Sequence, residues 1–329
     1  MSTLTFSAEC DRLDGKGRER VQEFRRVNQF ALLMIGVMLF GSTLVSTVLN
    51  WLGSDSLLVK YILLYGIQFV LPIVGFCITD RGQSPRELMR LRRPKGYTFV
   101  LTIFFAVAIQ PFLMCISSLT SLIFHNYLND SMVKYMEEPL GITLLAVAVI
   151  PAFCEELLCR GIYLSGCKRL NIYLAAILGG IFFGVLHMNP QQAVYAAVFG
   201  FLCSMIVMGA DSIWPAMLAH LIINGAQILL AYVQSNGLWQ SSWLKDLSDW
   251  LLQGGTLWQI LPTAILLLGV AVWCLIRIFY IEGRQELLKG RIAEKGQKPL
   301  TVSEAFSGYC WLGGTVLAFL LICMAVGIQ

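Results

Sequence analysis

Charged and amide side chains interrupt two strongly apolar stretches of the chain. The segment 140–166 contains Glu155, Glu156 and Arg160, and the segment 212–233 contains His220 and Asn224. Ionisable groups are costly in such surroundings and usually mark a functional site. A carboxylate near an imidazole can exchange protons with a bound molecule. These residue types therefore favour acid–base chemistry at a buried site.

Helical spacing divides these residues into pairs. Glu156 and Arg160 are four residues apart, so they share one face in the order that favours an ion pair. Glu155 is turned by about 100° from Glu156 and has no cation three or four residues further on. We therefore expect Glu155 to be the free acid and the candidate general base. His220 and Asn224 are also one turn apart and can converge on one small ligand or one oxygen.

A third apolar segment, 172–189, contributes His187. Phe183 precedes it by one turn, so the aromatic ring can form a wall beside the imidazole. Gly179, Gly180 and Gly184 form a face of small residues, which predicts a close contact with another helix. With a rise of 1.5 Å per residue, Glu155, His187, His220 and Asn224 lie about 12 to 21 Å from the basic ends of their segments. The sequence therefore predicts that they share one layer.

The amino-acid composition indicates the class of protein in which this layer of polar residues lies. Hydrophobic residues make up 57% of the 329 residues and charged residues only 13%, whereas soluble domains contain roughly 25% charged residues. This excludes a cytosolic enzyme, a disordered protein and a secreted disulfide scaffold. We predict an all-α fold, a polytopic transmembrane helical bundle with about nine spans. The spans one to nine are predicted at about 28–51, 57–79, 97–124, 140–166, 172–189, 190–209, 212–233, 256–281 and 306–328.

The basic residues indicate an orientation. With nine spans, 21 of the 24 Lys and Arg residues fall on one side of the membrane, while Lys60, Lys134 and Lys245 fall on or near the other. The positive-inside rule then predicts a cytoplasmic N-terminus and an external C-terminus. We expect a multi-pass integral protein of a bacterial plasma membrane, although an endoplasmic reticulum membrane suits the same pattern. The net charge of +4, without a basic stripe, indicates no nucleic-acid partner.

The chain divides into four predicted regions. Residues 1–27 are a cytoplasmic N-terminal segment, and 28–139 hold spans one to three, a scaffold without acidic or histidine residues in the span interiors. Residues 140–233 form a membrane core with all the polar residues named above. Residues 234–329 hold the last two spans, joined by a charged cytoplasmic connection at 282–305.

Three motifs resemble a known family. EExxxR at Glu155, FxxxH at Phe183 and HxxxN at His220, in this order on membrane helices, resemble the CPBP family of CAAX proteases and bacteriocin-processing proteins, also called the Abi family of intramembrane proteases. The resemblance covers about 140–233, and neither the first three nor the last two spans take part. Members usually have about eight spans, so a ninth departs from the pattern.

The resemblance implies an intramembrane endopeptidase whose catalytic core lies in spans four to seven. Glu155 and His187 would bind and activate a water molecule, and His220 and Asn224 would stabilise the oxyanion. The implied supporting residues are Glu156, Arg160 and Phe183. The expected partners are the lipid bilayer and a membrane-associated peptide or protein substrate. A prenylated CAAX C-terminus, a bacteriocin or signalling-peptide leader and a membrane-anchored protein remain open as substrates.

Two mechanisms remain open as well. The resemblance allows a glutamate-type protease or a metalloprotease, and a metal would be held by Glu155, His187 and His220. Zinc sites normally have three firm protein ligands, and two histidines with carboxylates and an amide make a poor set. We therefore favour the glutamate type, with no firm cofactor and zinc as the open alternative.

Two other functions fit the same residues. A catalytically silent member of the family would act as a binding or immunity membrane protein. A proton-coupled transporter would use Glu155 and the histidines as a proton relay. The transporter is the weaker alternative, because the chain has no inverted repeat and no matching pair of broken helices.

Overall fold

The part of the chain that the structure describes is helical. A computed structural model describes residues 15–80, 84–125, 135–237, 257–290, 293, 299–301 and 305–325. Within these ranges there is no β-strand, and one isolated antiparallel bridge joins Asn171 to Ala293. Part of the predicted connection at 282–305 lies outside them; its described beginning includes a short 3-10 helix, Gln285–Lys289. The prediction of an all-α fold is confirmed.

Apolar helices of membrane-spanning length dominate the described residues. Eight are long and apolar enough to cross a membrane, and Ile172–Leu186 is a shorter apolar helix. These helices correspond to the predicted spans, so the expectation of about nine spans is confirmed, and the protein is a multi-pass integral membrane protein. Spans one to nine are Gly15–Leu52, Leu57–Thr79, Gly96–Thr120, Leu140–Gly166, Ile172–Leu186, Pro190–Ala210, Trp214–Ser235, Leu257–Ile281 and Phe306–Ala325.

Two spans contain wide π-helical turns next to a proline. Span two is π-helical over Gly66–Val70, just before Pro72. Span four is π-helical over Leu145–Val149, just before Pro151. Proline has no N–H to donate to the carbonyl four residues earlier, and membrane helices accommodate it by local π turns and by bonds from neighbouring helices. A second π segment, Leu157–Tyr163, follows the two acids of span four.

Spans five and six form a hairpin held together by small residues. A Cβ atom added at Gly180 would lie 2.4 Å from the Ala197 carbonyl oxygen, and one at Gly184 would lie 2.4 Å from the Ala193 carbonyl oxygen. Only glycine permits this separation, because any side chain would overlap the facing backbone. The predicted close helix contact is confirmed.

The hairpin turn follows a helix that is shorter than the apolar core of a bilayer. Span five has 15 residues and is therefore about 22 Å long, shorter than the roughly 30 Å apolar core of a bilayer. The turn passes through Met188 in a left-handed conformation (φ 50°), and Asn189 caps span six by accepting from the Gln191 N–H. Backbone of this kind occurs inside a membrane only where protein or a water-filled cavity surrounds it.

Candidate active site

A buried carboxylate lies at the centre of the polar constellation. Glu156 Oε1 accepts a hydrogen bond from Arg160 Nη1 at 2.9 Å and one from His220 Nδ1 at 2.9 Å. All three residues are buried, and Arg160 also donates to the Gly200 carbonyl oxygen at 3.2 Å. The pairing of Glu156 with Arg160, predicted from helical spacing, is confirmed. The bond between Glu156 and His220 joins spans four and seven and was not predicted.

Aromatic rings fix the imidazole of His220. The Phe183 and Phe199 rings lie edge-on to it, with centroids 5.7 and 5.5 Å away. Phe183 also lies under the guanidinium of Arg160, 4.4 Å from its ring centroid. Because the Glu156 carboxylate is paired with Arg160 and accepts from His220, Nδ1 of His220 carries the proton. Nε2 of His220 is therefore the nitrogen available for chemistry.

Glu155 has a partner that the sequence did not indicate. Its Oε1 accepts a hydrogen bond from the Tyr65 hydroxyl at 2.7 Å. Its Oε2 lies 3.9 Å from His220 Nε2, beyond hydrogen-bond distance. Glu155 is therefore not the free acid that its spacing predicted, since span two supplies a donor. The Glu155 side chain keeps 12% of its surface exposed, whereas Glu156 is fully enclosed.

His187 occupies the C-terminal end of span five. Its Nδ1 lies 2.9 Å from the Phe183 carbonyl oxygen, one of the carbonyls that a helix end leaves without an internal partner. A carbonyl can only accept, so Nδ1 carries the proton and Nε2 of the neutral ring has the lone pair. The ring lies edge-on to Phe183 at 4.9 Å, as its spacing predicts. Among the described residues no hydrogen bond or ion pair joins His187 to Glu155 or His220, but the Phe183 ring contacts both imidazoles edge-on.

The side-chain amide of Asn224 contacts the backbone of span four. Nδ2 donates to the Val147 carbonyl oxygen of span four at 3.2 Å. Pro151 is the residue whose N–H would have served that carbonyl in a regular helix, so the side chain replaces a missing backbone donor. An amide nitrogen has two hydrogens, which leaves one for another acceptor.

The carboxylates and imidazoles do not form a metal-ligand set. Within the described ranges, no group of three or more His, Cys, Asp or Glu side chains is placed to hold a metal ion. Glu155, His187 and His220 are therefore not arranged as the ligand set considered from the sequence. Glu156 and the Phe183 carbonyl engage Nδ1 of the two histidines, and the Tyr65 hydroxyl engages one oxygen of Glu155. These contacts leave Nε2 of both histidines and Oε2 of Glu155 outside the hydrogen bonds just described.

Residues 138–226 match the family model described as Type II CAAX prenyl endopeptidase Rce1-like. The matched segment is roughly a quarter of the chain and contains all seven residues of the three motifs. The resemblance to the CPBP family is thereby confirmed for this segment. No curated protein and no solved structure matches the chain.

Proposed function

We propose that this protein is an intramembrane endopeptidase that hydrolyses a peptide bond of a membrane-associated protein or peptide. One observation carries the proposal: the partly exposed carboxylate of Glu155 faces the imidazole of His220, which a second carboxylate, Glu156, holds in place. The match of this segment to the type II CAAX prenyl endopeptidases supports the same reaction class. We place the reaction within the helical bundle, since each of these side chains belongs to an apolar span.

In the proposed mechanism Glu155 is the general base. It takes a proton from a water molecule while the hydroxide oxygen adds to the carbonyl carbon of the peptide bond. His187 orients that water through the lone pair of Nε2, because its Nδ1 proton is engaged by the Phe183 carbonyl. When the C–N bond breaks, Glu155 returns the proton to the leaving nitrogen. Water and peptide bond are thus converted to one carboxyl group and one amine.

The negative oxygen that forms during the addition needs donors that are already in place. We assign this role to the second amide hydrogen of Asn224 and to Nε2 of His220 in its protonated form. Glu156 balances the charge of a protonated His220 and holds the ring between Phe183 and Phe199. Arg160 in turn holds Glu156. These assignments are consistent with the hydrogen bonds that Nδ1 of His220 and Nδ1 of His187 already make, since both roles use the Nε2 atoms.

A membrane-associated substrate suits this location. Span five has 15 residues and is about 22 Å long, and we therefore place His187 and the following turn within the bilayer thickness. A substrate must therefore enter the membrane or lie at its surface. Prenylated CAAX C-termini are the substrate class named by the family match. Leader peptides and membrane-anchored proteins remain alternatives of the same reaction type.

A peptide library tests the proposal. Purified protein in detergent is incubated with membrane peptides, and the products are identified by mass spectrometry. We expect cleavage by the wild type and a loss of at least about 100-fold in Glu155→Gln and His187→Ala, the range for removing a general base or its partner. Glu286→Gln serves as a matched control, because Glu286 pairs with Lys289 at the surface and should retain full activity.

The outcomes separate the competing functions. Cleavage that is independent of Glu155 and His187 would contradict the proposed mechanism. Absence of cleavage together with full cellular function of both variants would favour a silent binding or immunity protein. Proton-coupled uptake into vesicles that depends on Glu155 would favour the transporter.

A further inference from the structure

Span two contributes an aromatic ladder that reaches the acid of span four. Tyr61, Tyr65 and Phe69 follow at intervals of one turn, and their rings stack with centroids 6.0 and 4.8 Å apart. The middle ring, Tyr65, is buried, and its hydroxyl donates to Glu155 Oε1 at 2.7 Å. Glu155 lies within the matched segment 138–226, whereas Tyr65 lies outside it.

We infer that Tyr65 is a positioning residue for the general base, an inference that rests on the proposed function. The hydrogen bond occupies Oε1 of Glu155 and fixes the rotation of the carboxylate. Oε2 then faces Nε2 of His220 at 3.9 Å. Glu155 thereby presents one defined oxygen to the water molecule, as general-base catalysis requires.

The fold holds the phenol firmly. Stacked rings lie on both sides of Tyr65, so its side chain has little room to turn. Tyr65 is the last α-helical residue before the π turn Gly66–Val70. That turn adds a residue to the helical repeat and so changes which face the following residues present. The position of Tyr65 opposite Glu155 therefore depends on the backbone of span two.

Two other features of the molecule do not support a further site. A cavity of about 770 Å³ lies between spans one and two, lined mainly by apolar side chains. Its one cationic group, Arg26, is already paired with Asp80 at 3.2 Å. Asp211 forms ion pairs with Arg90, Arg92 and Arg284, and these contacts join three connections between spans. Neither feature includes a group aimed at an unassigned ligand.

The test compares three variants of span two on a peptide that the wild type cleaves. In Tyr65→Phe the ring and its stacking remain and only the hydroxyl is lost. We expect kcat to fall about tenfold, with KM within about twofold of the wild-type value. A hydrogen bond to a charged group contributes about 1.5–3 kcal/mol, which corresponds to about a tenfold change in rate or more. A residue that only positions the base is expected to leave KM unchanged. Tyr61→Phe is the matched control, since the Tyr61 hydroxyl bonds to Tyr135 rather than to Glu155, and it should retain wild-type kcat.

Tyr65→Leu separates positioning from packing. It removes the ring as well, so we expect a lower melting temperature than for Tyr65→Phe but a similar kcat in the folded fraction. Wild-type kcat in Tyr65→Phe with a loss only in Tyr65→Leu would overturn the inference, and so would equal losses in Tyr65→Phe and Tyr61→Phe. Glu155→Gln is measured in parallel. If it still cleaves, the general-base role of Glu155 in the proposed mechanism fails; if it is inactive while Tyr65→Phe is unaffected, only the role of Tyr65 fails.

Discussion

Replacing Arg160 with methionine removes the guanidinium that forms an ion pair with Glu156. Both side chains are fully buried, and their 2.9 Å ion pair lies within span four. Methionine has a similar length and fills much of the same volume, so the change acts mainly on charge. The substitution leaves the Glu156 carboxylate with the hydrogen bond from His220 as its remaining polar contact.

The magnitude follows from this burial. Removing one partner of a buried ion pair costs about 3–5 kcal/mol, because the other charge stays in a medium of low dielectric constant. The guanidinium also lies 4.4 Å from the Phe183 ring centroid and donates to the Gly200 carbonyl. We therefore expect Arg160→Met to lower the free energy of unfolding by about 3–5 kcal/mol.

Arg26→Met is a matched control within the same chain. Arg26 pairs with Asp80 at 3.2 Å and lies over the Phe76 ring at 4.7 Å, but 39% of its side chain is exposed. Exposed ion pairs contribute about 0–1 kcal/mol and exposed cation–π contacts about 0.5–1 kcal/mol. We expect this variant to lose less than about 2 kcal/mol.

The assay is unfolding in mixed micelles by titration with a denaturing detergent, followed by circular dichroism. A third variant, Arg160→Met with Glu156→Gln, removes both charges and should regain at least about 1 kcal/mol relative to Arg160→Met alone. Equal destabilisation by Arg160→Met and Arg26→Met would refute the reasoning. A double variant less stable than Arg160→Met would do the same.

The remaining predictions concern packing, the oxyanion and the metal. Gly184→Ala should destabilise the protein by about 1–3 kcal/mol, since the added Cβ would overlap the backbone of span six. Gly269→Ala is the control and should be neutral, because there is open space around Gly269. Equal unfolding free energies for the two variants would contradict the close contact of spans five and six. Asn224→Ala should lower kcat about 100- to 1,000-fold, and a change confined to KM would argue against an oxyanion role. A chelator should leave cleavage unchanged, and stoichiometric zinc that disappears in His220→Ala would overturn the glutamate mechanism.

The sequence predicted those features that depend on residue type and local spacing. Low charge content and long apolar runs predicted the helical membrane fold. The interval of four residues predicted the pair of Glu156 and Arg160 and the contact of Phe183 with His187, both of which the structure contains. Such contacts within one helix depend on a fixed geometry of 3.6 residues per turn.

Contacts between spans were not predictable in the same way. His220 bonds to Glu156, and Tyr65 bonds to Glu155, but nothing in the spacing along one helix specifies how two helices are rotated against each other. Tyr65 was also not predicted, because a phenol is uncharged and is common in membrane spans. A tyrosine beside Phe69 in an apolar span has the composition of ordinary membrane packing.

The π-helical turns in spans two and four were also not predicted. Pro72 and Pro151 in the span interiors were a visible signal, because each removes one backbone donor. That signal predicts a local irregularity but not its form. In the structure the carbonyl of Val147, four residues before Pro151, is served by Asn224, so one residue of the proposed oxyanion site also completes the backbone bonding of span four.

The proposed function is tested most directly in cells that produce the protein. Membrane peptides are extracted from cells with the wild-type protein and from cells with Glu155→Gln at equal expression, and their termini are compared by mass spectrometry. We expect a small set of new C-termini that occurs only with the wild type. Identical sets of termini in both strains would contradict proteolysis by Glu155.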